Sequence, residues 1–419
     1  MDKEINFNKK YLIDIGAMPF AFEGGIRNQF RIIANMLQFV KVDILQKAVD
    51  KIVPRFPMFT INMSQKWNSM RELIVSDMKI KVQKYQAEFT PFNLQSNEPL
   101  FRVMYGKKFI CVEMLHILSD ANGCVAFLNS LLYCYYELLG MKMDKTNIIT
   151  IDSKANKDEF EDSYFKYAKR SKSALNLTNS IAKKCFKLNC GNYLNESKGE
   201  HITYSFDVEQ LKSVSRKYNA TINEYAVTVI CLAYAKIKND CNCDKCIRIQ
   251  MPINLRKRFF SKSLRNFVAT TQFETFSNDK LNILQEIKRH MSIVTSDKEL
   301  ESFMWNAVFM MNGVLKVLPR FIGDFLLKTG DNLLGEKASS TSFSNIGLVE
   351  NNLFQNGVVS MEFLAGTPKY VPFLLSAITY NNICNLTFSK NTRENLFEKY
   401  FLDELKKDGI IPTNIVVRE

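Results

Sequence analysis

The sequence predicts an α/β (α+β) protein whose two halves each contain a mixed sheet with flanking helices. The chain has 419 residues, and one domain usually takes roughly 100–200 residues, so two domains or subdomains are expected. Hydrophobic residues make up 46% and charged residues 24% of the chain, which is typical of a globular protein. Segments with strand periodicity alternate with helical segments along both halves, which favours the mixed class.

Two strand–helix units are predicted in the N-terminal half. The first is an apolar strand over residues 29–42 followed by an amphipathic helix over 43–53, for which Asp43 is a suitable N-cap. The second is a nearly continuous apolar strand over residues 107–116, a pattern typical of a sheet interior. A short polar turn then leads into a strongly apolar helix over 124–139.

The rest of the chain divides into a basic connection and a second mixed half. We predict an N-terminal subdomain over residues 1–155, a basic linker or crossover over 156–200 and a C-terminal subdomain over 201–419. In the last of these, the patterns predict strands at 201–206, 247–253, 341–348, 357–364, 374–380 and 383–388, with a hairpin turn at Asn381-Asn382, and helices at 207–218, 221–238, 282–295, 300–334 (broken at Pro319) and 395–406.

The charge of the chain favours anionic partners. The formal net charge is +13, and the segments 163–190 and 247–273 contain basic residues but no Asp or Glu. Such runs suit phosphate groups or an acidic surface, although solvated surface is the simpler interpretation. Neither run has the pattern of an RNA-binding sheet or a zinc finger, so nucleic acid is not an expected partner.

Cysteine usage and the N-terminus predict a cytoplasmic protein with reduced thiols. Residues 1–6 are charged and polar and do not resemble a signal peptide, and no transmembrane segment is expected. The only dense cysteine cluster is Cys241, Cys243 and Cys246, which lacks a second Cys-x-x-Cys or paired His. We therefore expect no metal and no permanently bound cofactor, and we expect a monomer.

The chain has only three histidines, and one of them is the clearest candidate for a catalytic residue. His290 lies in a charged helical segment and His201 begins a strand beside Glu200, so both are expected at the surface. His116 differs, because it ends a buried strand and precedes a polar turn, where catalytic groups are often placed. A histidine that simply packs in the core is the alternative interpretation.

The segment from His116 to Asp120 reads His-x-x-x-Asp, with Gly123 shortly after it. This resembles the active-site motif of the CoA-dependent acyltransferase superfamily, which includes chloramphenicol acetyltransferase, plant BAHD acyltransferases, alcohol acetyltransferases and condensation domains. Other segments of the chain resemble further motifs of this superfamily and occur in the expected order. They are 45–49 with Arg55-Phe56-Pro57, 251–256 with its Asn-Leu-Arg, the Arg-Asn-Phe of 265–267, and the Ser-Asn-x-Gly of 344–347. The resemblance covers nearly the whole chain and is closest to bacterial alcohol acetyltransferase-like proteins.

The resemblance implies two chloramphenicol acetyltransferase-like halves with an active-site tunnel between them. His116 would act as general base, with no covalent acyl-enzyme, and would move an acyl group from acyl-CoA to a small alcohol or amine. Asp120 would turn away from His116 and form an ion pair with Arg256. The remaining expectations concern substrate contacts: Ser344, Asn345 and Asn254 for the oxyanion or substrate position, and Lys257, Arg258 and Lys262 for the CoA phosphates. Plain strand residues and solvated charges are the alternatives for these six.

Two other functions remain open at this point. One is a condensation-type enzyme that takes acyl groups from a carrier protein, and the other is a catalytically silent homologue that binds an acyl ligand or a partner. Two departures from the family pattern bear on the second: Leu115 stands where many members have an additional His, and Ala121 stands where Gly usually follows the Asp.

Overall fold

The computed structural model describes residues 10–20, 25–65, 71–170, 184–334, 336–349 and 357–418. Its strands are β1 (Lys10–Leu12), β2 (Gln29–Met36), β3 (Ile61–Gln65), β4 (Arg71–Val75), β5 (Gln83–Lys84), β6 (Phe101–Tyr105), β7 (Phe109–Leu115), β8 (Glu200–Asp207), β9 (Ile247–Asn254), β10 (Val268–Thr275), β11 (Thr341–Leu348), β12 (Val358–Ala365), β13 (Phe373–Tyr380), β14 (Ile383–Lys390) and β15 (Asn414–Arg418). Its α-helices are α1 (Val42–Ile52), α2 (Ala121–Leu138), α3 (Ser163–Tyr167), α4 (Val208–Lys217), α5 (Ile222–Asp240), α6 (Arg256–Phe259), α7 (Lys280–Val294), α8 (Asp297–Phe309), α9 (Arg320–Leu334) and α10 (Leu396–Lys407). Short 3₁₀ segments lie at Ile15–Phe20, Ile26–Asn28, Val53–Arg55, Lys157–Glu159, Glu196–Lys198 and Glu336–Ala338, and a π-helical turn at Met310–Leu315.

The N-terminal half is built on a five-stranded sheet with the order β12-β2-β7-β6-β5. Alternate side chains of β2 (Phe30, Ile32 and Ala34) are buried in one core with Leu45 of α1 and Leu128 of α2. This period of two is what a strand with one helix-covered face requires. A separate three-stranded sheet, β1-β4-β3, completes this half.

The C-terminal half is built on a seven-stranded sheet with the order β10-β9-β11-β13-β14-β8-β15. Strand β11 runs parallel to both β9 and β13, and the other neighbours are antiparallel, so the sheet is mixed as predicted. Helices α4, α5 and α10 supply Leu211, Tyr225 and Phe401 to the core on one face of this sheet. The predicted fold class, two mixed α/β halves, is confirmed.

Strand β12, from the C-terminal part of the chain, belongs to the five-stranded sheet of the N-terminal half. β12 pairs antiparallel with β2, with Glu362 opposite Ile33 and Leu364 opposite Arg31. The chain then returns to the C-terminal sheet as β13. The division at residues 155 and 200 remains a prediction, and β12 is the element that lies across it. Since a buried strand is hard to remove from a sheet, this exchange ties the two halves together.

Local signals in the sequence matched the structure unevenly. Asn381 and Asn382 both have positive φ (47° and 63°) between β13 and β14, which confirms the predicted hairpin turn. In contrast, the strand predicted over 29–42 already ends at Met36, and Lys41, not Asp43, is the N-cap of α1. Asp43 lies in the first turn, where its charge is favourable to the helix dipole without capping it.

The face of β2 that is turned away from α1 and α2 is polar and buried. Arg31 donates to Glu113 across the sheet (Nε–Oε2 2.7 Å), and both side chains are 1% exposed. Arg418 of β15 similarly pairs with Glu362 of β12 (Nη2–Oε1 2.7 Å). The first pair lies within the five-stranded sheet, whereas the second joins β15 of the seven-stranded sheet to β12 of the five-stranded sheet, so a buried ion pair connects the two sheets.

The expectation that His201 lies at the surface is wrong. Its strand β8 is flanked by β14 and β15, so the side chain is 1% exposed. Its Nδ1 lies 3.1 Å from the Ser389 hydroxyl, and its ring centroid lies 5.3 Å from that of Phe89. His290 is also partly buried, with Nε2 2.8 Å from the Thr271 hydroxyl.

The linker and the cysteine cluster are only partly described. Residues 1–6 and, within the predicted linker, 171–183 lie outside the described ranges. All ten cysteines are free thiols, with Cys241 exposed and Cys246 buried. Among the described residues, His, Cys, Asp and Glu form no group of three or more that is arranged to hold a metal ion. The helices of the same residues include none long and apolar enough to cross a membrane.

His201 should make the fold sensitive to acid. Burial, with Arg31 and Arg418 nearby, lowers the pKa of His201 to about 3, whereas an unfolded histidine titrates near 6.5. Below about pH 6.5 the unfolded chain therefore binds a proton that the folded chain does not, and stability falls by up to roughly 1.4 kcal/mol per pH unit. In His201→Gln, urea unfolding from about pH 6.5 to about pH 4.5 should show a weaker pH dependence than in wild type. The more exposed His290→Gln variant is the control, and equal slopes for wild type and His201→Gln would contradict this assignment.

Candidate active site

His116 lies at the junction between β7 and α2. Its backbone N–H donates to the carbonyl of Asn28 (2.8 Å), which ends the pairing of β7 with the N-terminal sheet. Four residues later, Asp120 is the N-cap of α2, and its Oδ1 accepts from the backbone N–H groups of Asn122 (3.1 Å) and Gly123 (3.2 Å). A strand end and a capped helix therefore fix both sides of the turn that carries His116.

Gly123 is the position in this turn where a side chain does not fit. A Cβ atom there would lie 2.0 Å from the Ser119 hydroxyl and 2.3 Å from the carbonyl oxygen of Leu264. The close approach of these two segments matches a hydrogen bond from the Ser119 hydroxyl to that carbonyl (2.5 Å). Ala121 is simply the first residue of α2 and has no positive φ, so Ala in place of Gly is compatible with this turn.

Asp120 and Arg256 form the ion pair that the resemblance implied. Nη1 of Arg256 lies 2.7 Å from Oδ2 of Asp120, and the two side chains are only 13% and 4% exposed. The same Oδ2 accepts from the backbone N–H of Phe267 (3.0 Å). Arg256 also donates to the backbone carbonyls of Ser263 (Nε–O 2.8 Å) and Arg265. One carboxylate thus binds the helix of the N-terminal half to the β9–β10 loop of the C-terminal half.

The ring of His116 contacts both halves. Nδ1 lies 2.9 Å from Oδ1 of Asn266, and Nδ2 of Asn266 donates to the backbone carbonyl of His116 (3.0 Å). The ring of Phe30 meets the imidazole edge-on, with centroids 5.3 Å apart. Burial lowers the pKa of His116 below its ordinary value, although the charge of Asp120, a hydrogen bond of the ring to the backbone of His116 itself and the contact with Asn266 oppose this. The imidazole is therefore neutral near pH 7, as a general base must be.

The backbone of Asn266 is hydrogen-bonded to a buried acid, Asp14, which was not among the predicted site residues. The backbone N–H of Asn266 donates to Oδ2 of Asp14 (3.1 Å), and Nε of Arg265 lies 3.3 Å from the same oxygen. Burial raises the pKa of Asp14 to about 7, against the lowering effect of Arg265. A single acid within the apolar run Leu12-Ile13-Asp14-Ile15 was the available signal.

The C-terminal sheet divides next to this loop. β11 pairs with β9 at Thr341–Ile249 and Ser342–Gln250, after which β9 continues beside β10 and β11 beside β13. The separated ends carry Ile253 and Ile346, and both pack against the core of the N-terminal half. The divided end of the sheet therefore faces the half that contains His116.

The expected substrate-positioning residues lie on these two strand ends. Asn254 ends β9, and its Oδ1 accepts from the backbone N–H of Arg256 (3.0 Å). On β11, Asn345 borders a small cavity with Phe206 and Tyr225 on the helix-covered face, and its Oδ1 accepts from the backbone N–H of Gly347 (2.8 Å). Phe343 lines the same cavity as Asn345, and side chains alternate along the regular part of a strand, so Ser344 between them points to the opposite face. This arrangement favours Ser344 over Asn345 as a donor to substrate.

The expected phosphate-binding residues lie in the short helix α6 and just after it. Lys257, Arg258 and Lys262 are exposed. Arg258 forms an ion pair with Asp297 (Nε–Oδ1 2.7 Å). Lys257 comes directly after Arg256, and Lys262 comes directly before Ser263, whose carbonyl accepts a hydrogen bond from Arg256. These two lysines are consequently the better placed for an anion near the loop.

Comparison with known proteins supports the architecture. No protein-family model and no curated protein sequence matches this chain. Among solved structures, it is similar to trichothecene 15-O-acetyltransferase TRI3 from Fusarium sporotrichioides (10% identity, 97% of this chain and 96% of that chain covered, TM-score 0.61). It is similar to TRI101 from F. sporotrichioides in complex with coenzyme A and T-2 (11%, 96% and 97%, 0.59) and to the condensation domain of the Monacolin K polyketide synthase MokA (11%, 97% and 97%, 0.56).

The chain has the fold of condensation domains and CoA-dependent acyltransferases. The TM-scores of 0.56–0.61 over nearly the whole chain establish this fold, whereas identities of 10–11% do not show the reaction. Any activity of the chain therefore depends on its own residues, above all on the His116 turn and the β9–β10 loop.

The Asp120–Arg256 pair should be important for stability. Arg256→Ala leaves a buried carboxylate without its cation, so the free energy of unfolding should fall by about 3–5 kcal/mol in urea titrations. Arg258→Ala is the matched control from the same helix, because its pair with Asp297 is exposed (47% and 70%) and should contribute no more than about 1 kcal/mol. Similar losses in the two variants would show that the buried pair has no special role.

Proposed function

We propose that this protein is an acyltransferase that moves an acyl group from acyl-CoA to a hydroxyl or amine of a small acceptor. The observation that carries this proposal is the setting of His116: a neutral imidazole at a strand end of the N-terminal half, in contact with Asn266 of the β9–β10 loop of the C-terminal half. The fold supports it, because similar structures include an acetyltransferase and a complex with coenzyme A. All ten cysteines are free thiols, which supports the cytoplasm as the site of action.

In this proposal His116 acts as general base through Nε2, the ring nitrogen opposite the one beside Asn266. The acceptor hydroxyl loses its proton to Nε2 as its oxygen attacks the thioester carbonyl. The tetrahedral intermediate then collapses, the carbon–sulfur bond breaks, and the CoA thiolate takes the proton from the imidazolium. Every proton and electron pair is accounted for without an acyl-enzyme, and His116 returns to its neutral form.

The oxyanion of the tetrahedral intermediate requires hydrogen-bond donors, and the phosphates of the acyl-CoA require cations. Ser344 is the proposed donor to the oxyanion, because its face of β11 is directed to the N-terminal half. Lys257 and Lys262 are the proposed contacts for CoA phosphates, since both are exposed next to the loop that holds His116. Asp120 and Arg256 would act on the reaction only by holding that loop.

Loss of His116 should remove the reaction while the fold remains. Acceptor-dependent release of CoA thiol should be measured with short- and long-chain acyl-CoAs and a panel of alcohols and amines. His116→Ala should be slower than wild type by about 10²- to 10⁴-fold, the usual contribution of a general base. His290→Ala is the control, because His290 lies on α7 and contacts Thr271 and Phe273, neither of which is proposed to take part in the reaction.

The same assay distinguishes the remaining functions. Equal thiol release from wild type and His116→Ala would exclude His116 as the base. Activity with carrier-bound thioesters but not with acyl-CoAs would show a condensation-type enzyme instead. No acceptor-dependent release with either donor class would leave only a binding protein.

The pH profile of kcat/KM should show the protonation of His116. Because burial lowers its pKa, the neutral base persists below the ordinary value near 6.5, and the acid limb should have its midpoint below about pH 6.5. The profile should be recorded with an acyl-CoA that is used efficiently, over a pH range in which the fold is intact by circular dichroism. A midpoint well above 6.5 would contradict a buried neutral base.

A further inference from the structure

We infer that Asn266 is a positioning residue that holds His116 in the tautomer with hydrogen on Nδ1, so that Nε2 carries the lone pair. The inference deepens the proposed function, since it matters for catalysis only if His116 is the base. Its geometric part, the choice of tautomer, stands independently of any activity.

The orientation of the Asn266 amide follows from one fixed partner. The backbone carbonyl of His116 can only accept a hydrogen bond, so the amide group 3.0 Å away must present its NH₂. The amide oxygen, Oδ1, then faces Nδ1 of the ring at 2.9 Å. Since an amide oxygen can only accept, Nδ1 must carry the hydrogen. The reversed amide would place two oxygens against each other and is excluded on this ground.

Asn266 has little freedom to turn away from His116. It is buried, and its backbone N–H donates to Asp14 (3.1 Å). Gly16 packs closely against Asn266. A Cβ atom added to Gly16 would lie 2.9 Å from the carbonyl oxygen of Asn266 and 3.0 Å from the Cβ of Asn266. The residues on either side are held as well, because Arg256 binds the carbonyl of Arg265 and Asp120 accepts from Phe267.

An amide suits this position better than a carboxylate would. Oδ1 of Asn266 accepts from Nδ1 without a full negative charge, so it fixes the tautomer while stabilising the imidazolium only weakly. The acidic groups near the ring are Asp120, whose charge is compensated by Arg256, and the Asp14–Asp162 pair behind Asn266, where Arg265 lies beside Asp14 and burial raises the pKa of Asp14 to about 7. A neutral positioning group therefore keeps His116 available as a base near pH 7.

Nitrogen NMR can read the tautomer directly, because the chain has only three histidines. In protein labelled with ¹⁵N-histidine, assigned with single His→Gln variants, wild-type His116 should show a protonated Nδ1 and an unprotonated Nε2. Asn266→Ala should shift the ring part of the way towards the tautomer with hydrogen on Nε2, because the hydrogen bond of the ring to the backbone of His116 itself remains. Ser263→Ala is the matched control from the same loop: it removes a partly buried hydrogen bond to the backbone carbonyl of Glu161 (2.7 Å) and should leave the tautomer unchanged.

Asn266→Asp provides a second test that keeps the shape of the side chain. Its carboxylate still accepts from Nδ1 but stabilises the imidazolium, so the NMR titration of His116 should move to higher pH. If the proposed reaction is present, kcat should fall by about 10- to 100-fold in Asn266→Ala with a smaller change in KM. The acid limb of kcat/KM in Asn266→Asp should follow the shifted titration.

The outcomes separate this inference from the proposed function. Hydrogen on Nε2 of His116 in wild type, or an unchanged tautomer in Asn266→Ala together with an unshifted titration in Asn266→Asp, would overturn the role of Asn266. The expected tautomer in a protein that transfers no acyl group would support the positioning role and contradict the acyltransferase instead.

Discussion

The carboxylate of Asp120 is the interaction on which the candidate site depends. One oxygen caps α2 through two backbone N–H groups, and the other binds Arg256 and the backbone of Phe267. These partners come from both halves of the chain, so a single charged group sets where the His116 turn lies relative to the β9–β10 loop. A buried charge with this many partners tolerates little displacement, since each lost bond leaves a desolvated charge less compensated. The ring of His116 and the amide of Asn266 meet because that loop is held in place.

A second layer of charge joins the halves away from His116. Arg418 of β15 and Glu362 of β12 form a buried ion pair from one sheet to the other, and Arg31 and Glu113 form a second buried pair within the N-terminal sheet. Together with β12, which leaves the C-terminal half to pair with β2, they make relative movement of the halves costly. A proposed reaction between two substrates at the junction of two halves needs such rigidity, because small displacements of a general base reduce its effect.

Much of the fold was accessible from local patterns, and the exceptions share a physical cause. The apolar strand before His116, the hairpin at Asn381-Asn382 and the mixed class all follow from periodicity and turn chemistry. Asp43 was misassigned because a good capping residue type does not specify which backbone group it meets. His201 was misassigned because its burial comes from strands β14 and β15, far away in sequence.

For the candidate site, the sequence by itself determined the residue types and their order: His116 at a strand end, Asp120 four residues later, and an Arg in a later basic segment. Only the tertiary structure decided which atoms meet. It brought Asn266 to the ring of His116 and Asp14 beneath Asn266, across about 150 and 250 positions of chain. Such contacts depend on how two sheets pack, and local spacing carries no information about them.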